Sequence, residues 1–187
     1  MIYKEFELST DHPLIVSLNK MLAWIRTSDV LASVSGTVRH DLSEEALRRC
    51  MANEVPSHCK AARFDHHKGF DFAEIQEHSA KVYEEQTGIK DYVLKPVAKT
   101  WYPSGGGYLG WHIDEDGGRI YSTWADGESF FRFKHPMTGE IVTSYDKPNQ
   151  WTFRIFTFDA ESPLWHCVHA TDDRISIGYR FIDQPAA

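Results

Sequence analysis

The chain has 187 residues, 42% of them hydrophobic and 13% aromatic, with a formal net charge of −7. That length suits one domain, residues 1–187, able to bury roughly 70% of its unfolded surface, and the acidic balance argues against nucleic acid as a general partner, which needs clustered Lys and Arg. No apolar run approaches the roughly 18 residues that cross a bilayer, the N-terminal MIYKEFELSTDHPL lacks the apolar core of a signal peptide, and three widely spaced cysteines without a C-x-x-C pair (Cys50, Cys59, Cys167) fit a reducing cytoplasm.

Up to about residue 90 the period is helical. DHPLIVSLNKMLAWIR repeats Leu14, Leu18, Leu22 and Ile25 on one face, with Ser9, Thr10 or Asp11 as the expected N-cap. LSEEALRRCMANEV opens on Ser43, with Glu44 and Glu45 in the acidic first turn that a helix dipole favours. DFAEIQEHSAKVYEEQTG reads as a third helix ending at Gly88, a C′ glycine. Between the last two, PSHCKAARFDHHKGF reads as loop or strand.

From about residue 91 the period becomes two. Eight segments alternate as strands: YVLKPVAKTWY, GWHID, RIYSTWA, SFFRFKH, EIVTSY, WTFRIFTF, LWHCVHA and RISIGYRF. Turn residues separate them: Gly105–Gly107, Gly117-Gly118, Asp126-Gly127, Gly139, Pro148-Asn149 and Asp172-Asp173. The expected fold is α+β with a mainly β core, a double-stranded β-helix or jelly roll over 91–182, with N-terminal helices of 1–90 packed outside it.

His112 and Asp114 stand two apart, the spacing that aims two strand residues at one face. Alone, H-x-D is a common accident. A third ligand comes from SPLWHCVHATDD, where alternation sets His166, Val168 and Ala170 on one face and Cys167 and His169 on the other. The apolar flank Pro163-Leu164-Trp165 selects His166 for a buried site. Two histidines and one carboxylate form the facial triad of non-haem Fe(II) oxygenases, which leaves positions open for other ligands; zinc, preferring a tetrahedral site, is the weaker competitor. On the next strand Arg174, Ser176, Gly178 and Arg180 share a face. Arg174 with Ser176 makes a carboxylate receptor, because a guanidinium donates two parallel hydrogen bonds. Arg180 reads as an ordinary ion-pairing residue.

The order His112-x-Asp114, His166, Arg174-x-Ser176 resembles the 2-oxoglutarate and Fe(II)-dependent oxygenase superfamily. WYPSGGGYLGWHID is similar to its prolyl-hydroxylase-like branch, and the likeness covers roughly residues 92–182. The resemblance implies a dioxygenase, with O2 as oxidant, that couples oxidative decarboxylation of 2-oxoglutarate to hydroxylation of a C–H bond in an amino-acid, peptidyl or small-molecule substrate. It implies Fe(II) on His112, Asp114 and His166 as the catalytic centre, Arg174 on the distal carboxylate of 2-oxoglutarate, and Tyr102 and Tyr121 as further contacts to it. The retained Asp114 argues against a halogenase. Arginine stands where prolyl hydroxylases often carry lysine, which weakens the case for a prolyl substrate. The alternative is a non-oxidative, cupin-type metal protein, an isomerase or sensor, which would leave Arg174 and Ser176 without a task.

Other features are weighed lower. PSGGGYLG lacks the Lys-Ser or Lys-Thr of a phosphate loop and reads as a glycine turn beside the cavity mouth. His66 and His67 are adjacent, so on a strand they point oppositely; a substrate-entrance role is the functional reading left for them. His78 sits on a solvated helix face. One of the two faces of SFFRFKH, either Phe131 with Phe133 or Phe130 with Arg132, is expected to line the cavity. Arg154, in the aromatic strand WTFRIFTF, is expected to face away from its neighbours or to form a salt bridge.

Overall fold

The structure, a computed structural model, describes residues 3–28, 41–64, 69–158 and 161–183. Among the described residues three helices, α1 (Pro13–Thr27), α2 (Glu44–Met51) and α3 (Ala73–Thr87), precede or interleave with eleven strands. Short strands β1 (Tyr3–Phe6), β2 (Cys59–Lys60) and β3 (Ala62–Arg63) come from the first part of the chain. The rest are β4 (Tyr92–Tyr102), β5 (Gly107–His112), β6 (Gly117–Ala125), β7 (Ser129–Lys134), β8 (Ile141–Tyr145), β9 (Trp151–Phe158), β10 (His166–Ala170) and β11 (Arg174–Asp183). They form two antiparallel sheets, a major one in the order β1-β9-β6-β11-β4-β3 and a minor one in the order β2-β5-β10-β7-β8. This is a double-stranded β-helix with helices outside, as the period-two segments imply.

Alternation along each strand sorts the layers. On β11, Ile175, Ile177, Tyr179 and Phe181 face outward into a core closed by Leu14, Leu18, Met21 and Ile25 of α1 and Ile75, Val82 and Tyr83 of α3. The Tyr83 and Phe181 rings stack at 3.7 Å. Fully burying such a side chain contributes about 1.5–3 kcal/mol, so a dozen of them are ample to hold α1 and α3 on the sheet. On the far side, Leu42 and, from α2, Ala46 and Leu47 cover Trp111 and Cys167 of the minor sheet. Between the sheets lies a third apolar group, Tyr102, Phe131, Phe133, Phe156, Leu164, Val168 and Ala170. This inner layer holds the cavity.

The helix ends show which local signals hold. Ser43 caps α2 by accepting from the Ala46 N–H at 3.2 Å, and Gly88 ends α3 at φ 76°, donating to Glu84 O. At α1 the cap is His12, not Ser9, Thr10 or Asp11: its Nδ1 accepts from Leu14 N–H at 3.1 Å, and Pro13, which has no N–H to satisfy, takes the first helical position.

Candidate metal centre

β5 and β10 run antiparallel with His112 directly opposite His166. Their rings lie 4.0 Å apart, centroid to centroid. Asp114 does not lie on the strand as expected. β5 ends at His112, and Asp114 sits in the turn before β6, still on the same side. One nitrogen from each imidazole and one Asp114 oxygen all lie within 4.8 Å of one another. Asp114 Oδ1 is 3.8 Å from His112 Nε2, and Oδ2 is 3.6 Å from His166 Nε2. His169, the rejected candidate, is on the other face of β10, stacked on Phe130 at 5.5 Å.

The hydrogen bonds of the two imidazoles decide what they can do. His112 Nδ1 faces Gly110 O at 2.8 Å and His166 Nδ1 faces Leu164 O at 3.0 Å. A carbonyl only accepts, so each Nδ1 carries a proton, which leaves Nε2 as the atom each ring turns inward. Burial and the neighbouring His112 drive the His166 pKa well below its usual value, so it stays neutral. Two imidazole nitrogens and a carboxylate therefore converge on one point, a donor set that could hold a metal ion. The backbone carbonyl behind each ring also matches the way metal-binding histidines are oriented.

Asp114 is held from behind. Tyr121 donates its hydroxyl to Oδ2 at 3.0 Å, and the buried Arg119 brings Nε to 3.5 Å of the same oxygen. Burial raises the Asp114 pKa, but His166, Arg119, His112 and the Tyr121 hydrogen bond outweigh it, so the group is ionised. Burial, with Asp114 adding to it, keeps the Tyr121 phenol well above its usual pKa, so it remains a donor. Gly178 makes room for that ring: a Cβ there would lie 2.6 Å from Tyr121 Cε1.

From this group a cavity runs between the sheets, with an empty volume of about 570 Å³ including the part open to solvent. His112, Asp114, His166, Tyr102, Tyr121, Arg174 and Ser176 all line it, together with Thr123, Phe131 and Arg154. Of the two faces of β7, Phe131 faces the cavity, and Phe130 and Arg132 face away. Arg174 lies opposite Tyr102 on β4 in register, its guanidinium 5.0 Å from the Tyr102 ring centre. Burial pushes the Tyr102 hydroxyl up to about 12, so it too stays protonated. Arg180 is outside the cavity, bonded to Asp116 and Glu115.

The glycine turn Gly105-Gly106 lies at the end of the sheet away from the His112–His166 pair, because Gly107 opposes Ala170 in register. Arg154 points into the inter-sheet space, opposite to Phe153, and forms the expected salt bridge there, to Asp146. That Asp146, just beyond β8, is a wholly buried acceptor, and neither residue stands out by motif. One signal existed: a charged residue in the middle of an otherwise apolar strand must find a buried partner. His66 and His67 lie outside the described residues.

No family model matches the chain, and no curated protein matches it in sequence. Solved structures do match in shape. A prolyl hydroxylase from Trichoplax adhaerens, in complex with a hypoxia-inducible-factor oxygen degradation domain peptide, superposes with a TM-score of 0.54 at 13% identity, over 97% of this chain and 83% of that one. A Pseudomonas putida prolyl-4-hydroxylase matches at TM-score 0.49 and 15% identity over 98% and 93% of the two chains. A predicted oxalate decarboxylase from Thermotoga maritima gives 0.31 and 18% over 67% and 81%. At 13% identity the likeness is one of architecture alone: this chain shares the double-stranded β-helix of the Trichoplax enzyme.

Proposed function

We propose that the protein is an Fe(II)- and 2-oxoglutarate-dependent dioxygenase that hydroxylates a C–H bond in an amino-acid, peptidyl or small-molecule substrate. The observation that carries the reading is a pairing within one cavity. At one place His112, Asp114 and His166 turn three ligand atoms toward a common point, and further along Arg174 presents a buried cation. A cosubstrate with an oxo-acid at one end and a carboxylate at the other fits both.

The residues divide the work. His112 and His166 would hold the iron through Nε2 and Asp114 through its carboxylate, with Tyr121 and Arg119 fixing the carboxylate's orientation. Bound there, iron with 2-oxoglutarate and O2 supplies the oxidising power for C–H hydroxylation. Arg174 would take the distal carboxylate, assisted by the Ser176 hydroxyl two residues along the same strand face. Tyr102 and Phe131 wall the cavity, excluding water from the cosubstrate. Three free cysteines fit the cytoplasmic setting expected from the sequence, and among the described residues no helix is long and apolar enough to cross a membrane. The peptide bound to the Trichoplax relative makes peptides the first substrates to try.

One observation favours the non-oxidative reading: Arg174 already has a carboxylate partner, Asp146 Oδ2, at 2.8 Å from its Nε. Its Nη1, however, is buried and has no hydrogen-bond partner among the described residues. A donor in that state lacks a bond whose absence costs about 1–3 kcal/mol, which a ligand carboxylate would restore. Succinate release by anaerobically Fe(II)-loaded protein, exposed to O2 with pools of peptides, amino acids and small metabolites, tests the proposal. Metal binding without any 2-oxoglutarate uptake would select the non-oxidative reading.

A further inference from the structure

At the inner end of the cavity three charged side chains form one cluster. Asp146, following β8 of the minor sheet, accepts from Arg174 Nε at 2.8 Å and from Arg154 Nη1 at 2.5 Å, both from the major sheet, and from Ser129 Oγ. All three charged groups are almost completely buried. Arg154 is used up: its Nε donates to Ser144 Oγ at 2.8 Å and its Nη2 to Ser144 O at 3.3 Å. Arg174 is not. With Nε on Asp146, its remaining edge carries Nη2, at 3.4 Å from Thr123 Oγ1, and the unpartnered Nη1.

We infer that Asp146 and Arg154 are positioning residues which turn Arg174 into an end-on receptor of net charge +1 for a single carboxylate. The inference rests on the proposed function and names the chemistry of its cosubstrate end. A guanidinium offers two forked edges, one through Nε and one through both Nη atoms. Asp146 occupies the first and so fixes the second toward the cavity. Alone, Asp146 would also neutralise Arg174, leaving a neutral pair with little attraction for an anion. Arg154 offsets that carboxylate without touching the ligand. Two guanidiniums and one carboxylate sum to +1, the complement of one ionised carboxylate in a low-dielectric site. A cosubstrate with a neutral tail gains nothing there.

The test is a charge cycle read by calorimetry on Mn(II)-loaded protein without O2, so that binding rather than turnover is measured. Two probes are used: 2-oxoglutarate, and 2-oxopentanoate, which has a methyl group in place of the distal carboxylate. Arg154→Met brings the cluster to zero and is expected to weaken 2-oxoglutarate by about tenfold to a hundredfold while leaving 2-oxopentanoate within about twofold. Arg154→Lys keeps the cation and most of the affinity. Adding Asp146→Asn to Arg154→Met returns the cluster to +1, with the new side-chain amide carbonyl still able to accept from Arg174, and 2-oxoglutarate affinity recovers toward wild type. Arg154→Met keeps the Asp146–Arg174 pair, so it leaves no buried carboxylate uncompensated, and thermal melts of both variants establish that each is folded before titration. Arg154→Met protein that binds 2-oxoglutarate like wild type, or a double variant that binds it no better than Arg154→Met, overturns the inference. Arg174→Ala, which must lose binding if the proposed function holds, separates the two failures. Wild-type protein that takes up no 2-oxoglutarate overturns both.

Discussion

His112 and His166 face each other as register partners across β5 and β10, each with Nδ1 directed at a backbone carbonyl and Nε2 directed inward. Strand pairing, rather than any loop, thus places two of the three ligand atoms. A site made this way should bind its ion without a folding step. Substituting His112, Asp114 or His166 with alanine should abolish tight Fe(II) binding in calorimetry, and His169→Ala should leave it unchanged. Asp114→Ala should also end succinate release while the thermal unfolding midpoint moves little, since Asp114 lines a cavity instead of filling a core. Normal succinate release by that variant would assign the carboxylate ligand elsewhere.

Arg174→Ala removes the proposed partner of the distal carboxylate. Losing one member of a buried charge pair costs about 2–5 kcal/mol, which at about 1.4 kcal/mol per tenfold weakens 2-oxoglutarate binding by roughly thirtyfold to a few thousandfold. Arg174→Lys should fall between, because lysine keeps the charge and loses the fork. Fe(II) affinity should not change. Separate titrations of metal and cosubstrate check this, and an Arg180→Ala variant with the larger 2-oxoglutarate defect would contradict it, since Arg180 is bonded outside the cavity to Glu115 and Asp116.

The sequence carried the layers of β11 and β10 because alternation is a local property: once Ile175 faces outward, Arg174 and Ser176 must face inward. Alternation likewise lets only one of His166 and His169 face inward, and the apolar flank Pro163-Leu164-Trp165 favours His166. What it could not carry is tertiary. The four residues of β1 are too few to show a period and form a strand only because β9 offers an edge. Asp146 reads as one turn acid among several until the connection from β8 to β9 brings it under Arg154 and Arg174. The i, i+2 spacing puts Asp114 on a strand, whereas it reaches its position from a turn, where Tyr121 and Arg119 hold it.

Gly178 sits on the inner face of β11 against Tyr121. An alanine Cβ would come within 2.6 Å of Tyr121 Cε1 and 3.3 Å of Val97 Cβ, so the ring must shift. Overpacking of this kind costs typically about 1–3 kcal/mol. The displaced ring carries with it the hydroxyl that orients Asp114. Gly178→Ala should therefore lower both the unfolding midpoint and Fe(II) affinity, and Tyr121→Phe should lower metal affinity with a smaller effect on stability. Calorimetric titration alongside thermal melts separates the two. Unchanged metal affinity in both variants would show that Asp114 needs no support from Tyr121.

The buried Asp146 should set part of the acid sensitivity of the fold. Burial raises its pKa, but Arg174 and Arg154 together outweigh burial and hold it well below the carboxylate range. The group thus binds its proton less readily folded than unfolded, where its value lies near about 3.9. Its contribution to stability is complete above that unfolded value and is lost as pH falls toward the folded one. Wild-type protein should lose stability steadily on acidification below about pH 4. Asp146→Asn leaves two buried guanidiniums facing an amide, a loss of about 3–5 kcal/mol at neutral pH. That variant should show a shallower fall below about pH 4, because one of the groups that takes up a proton on unfolding is gone. Urea unfolding of both proteins across that range measures the two slopes; equal slopes would mean that Asp146 is not the carboxylate that makes the fold acid-sensitive.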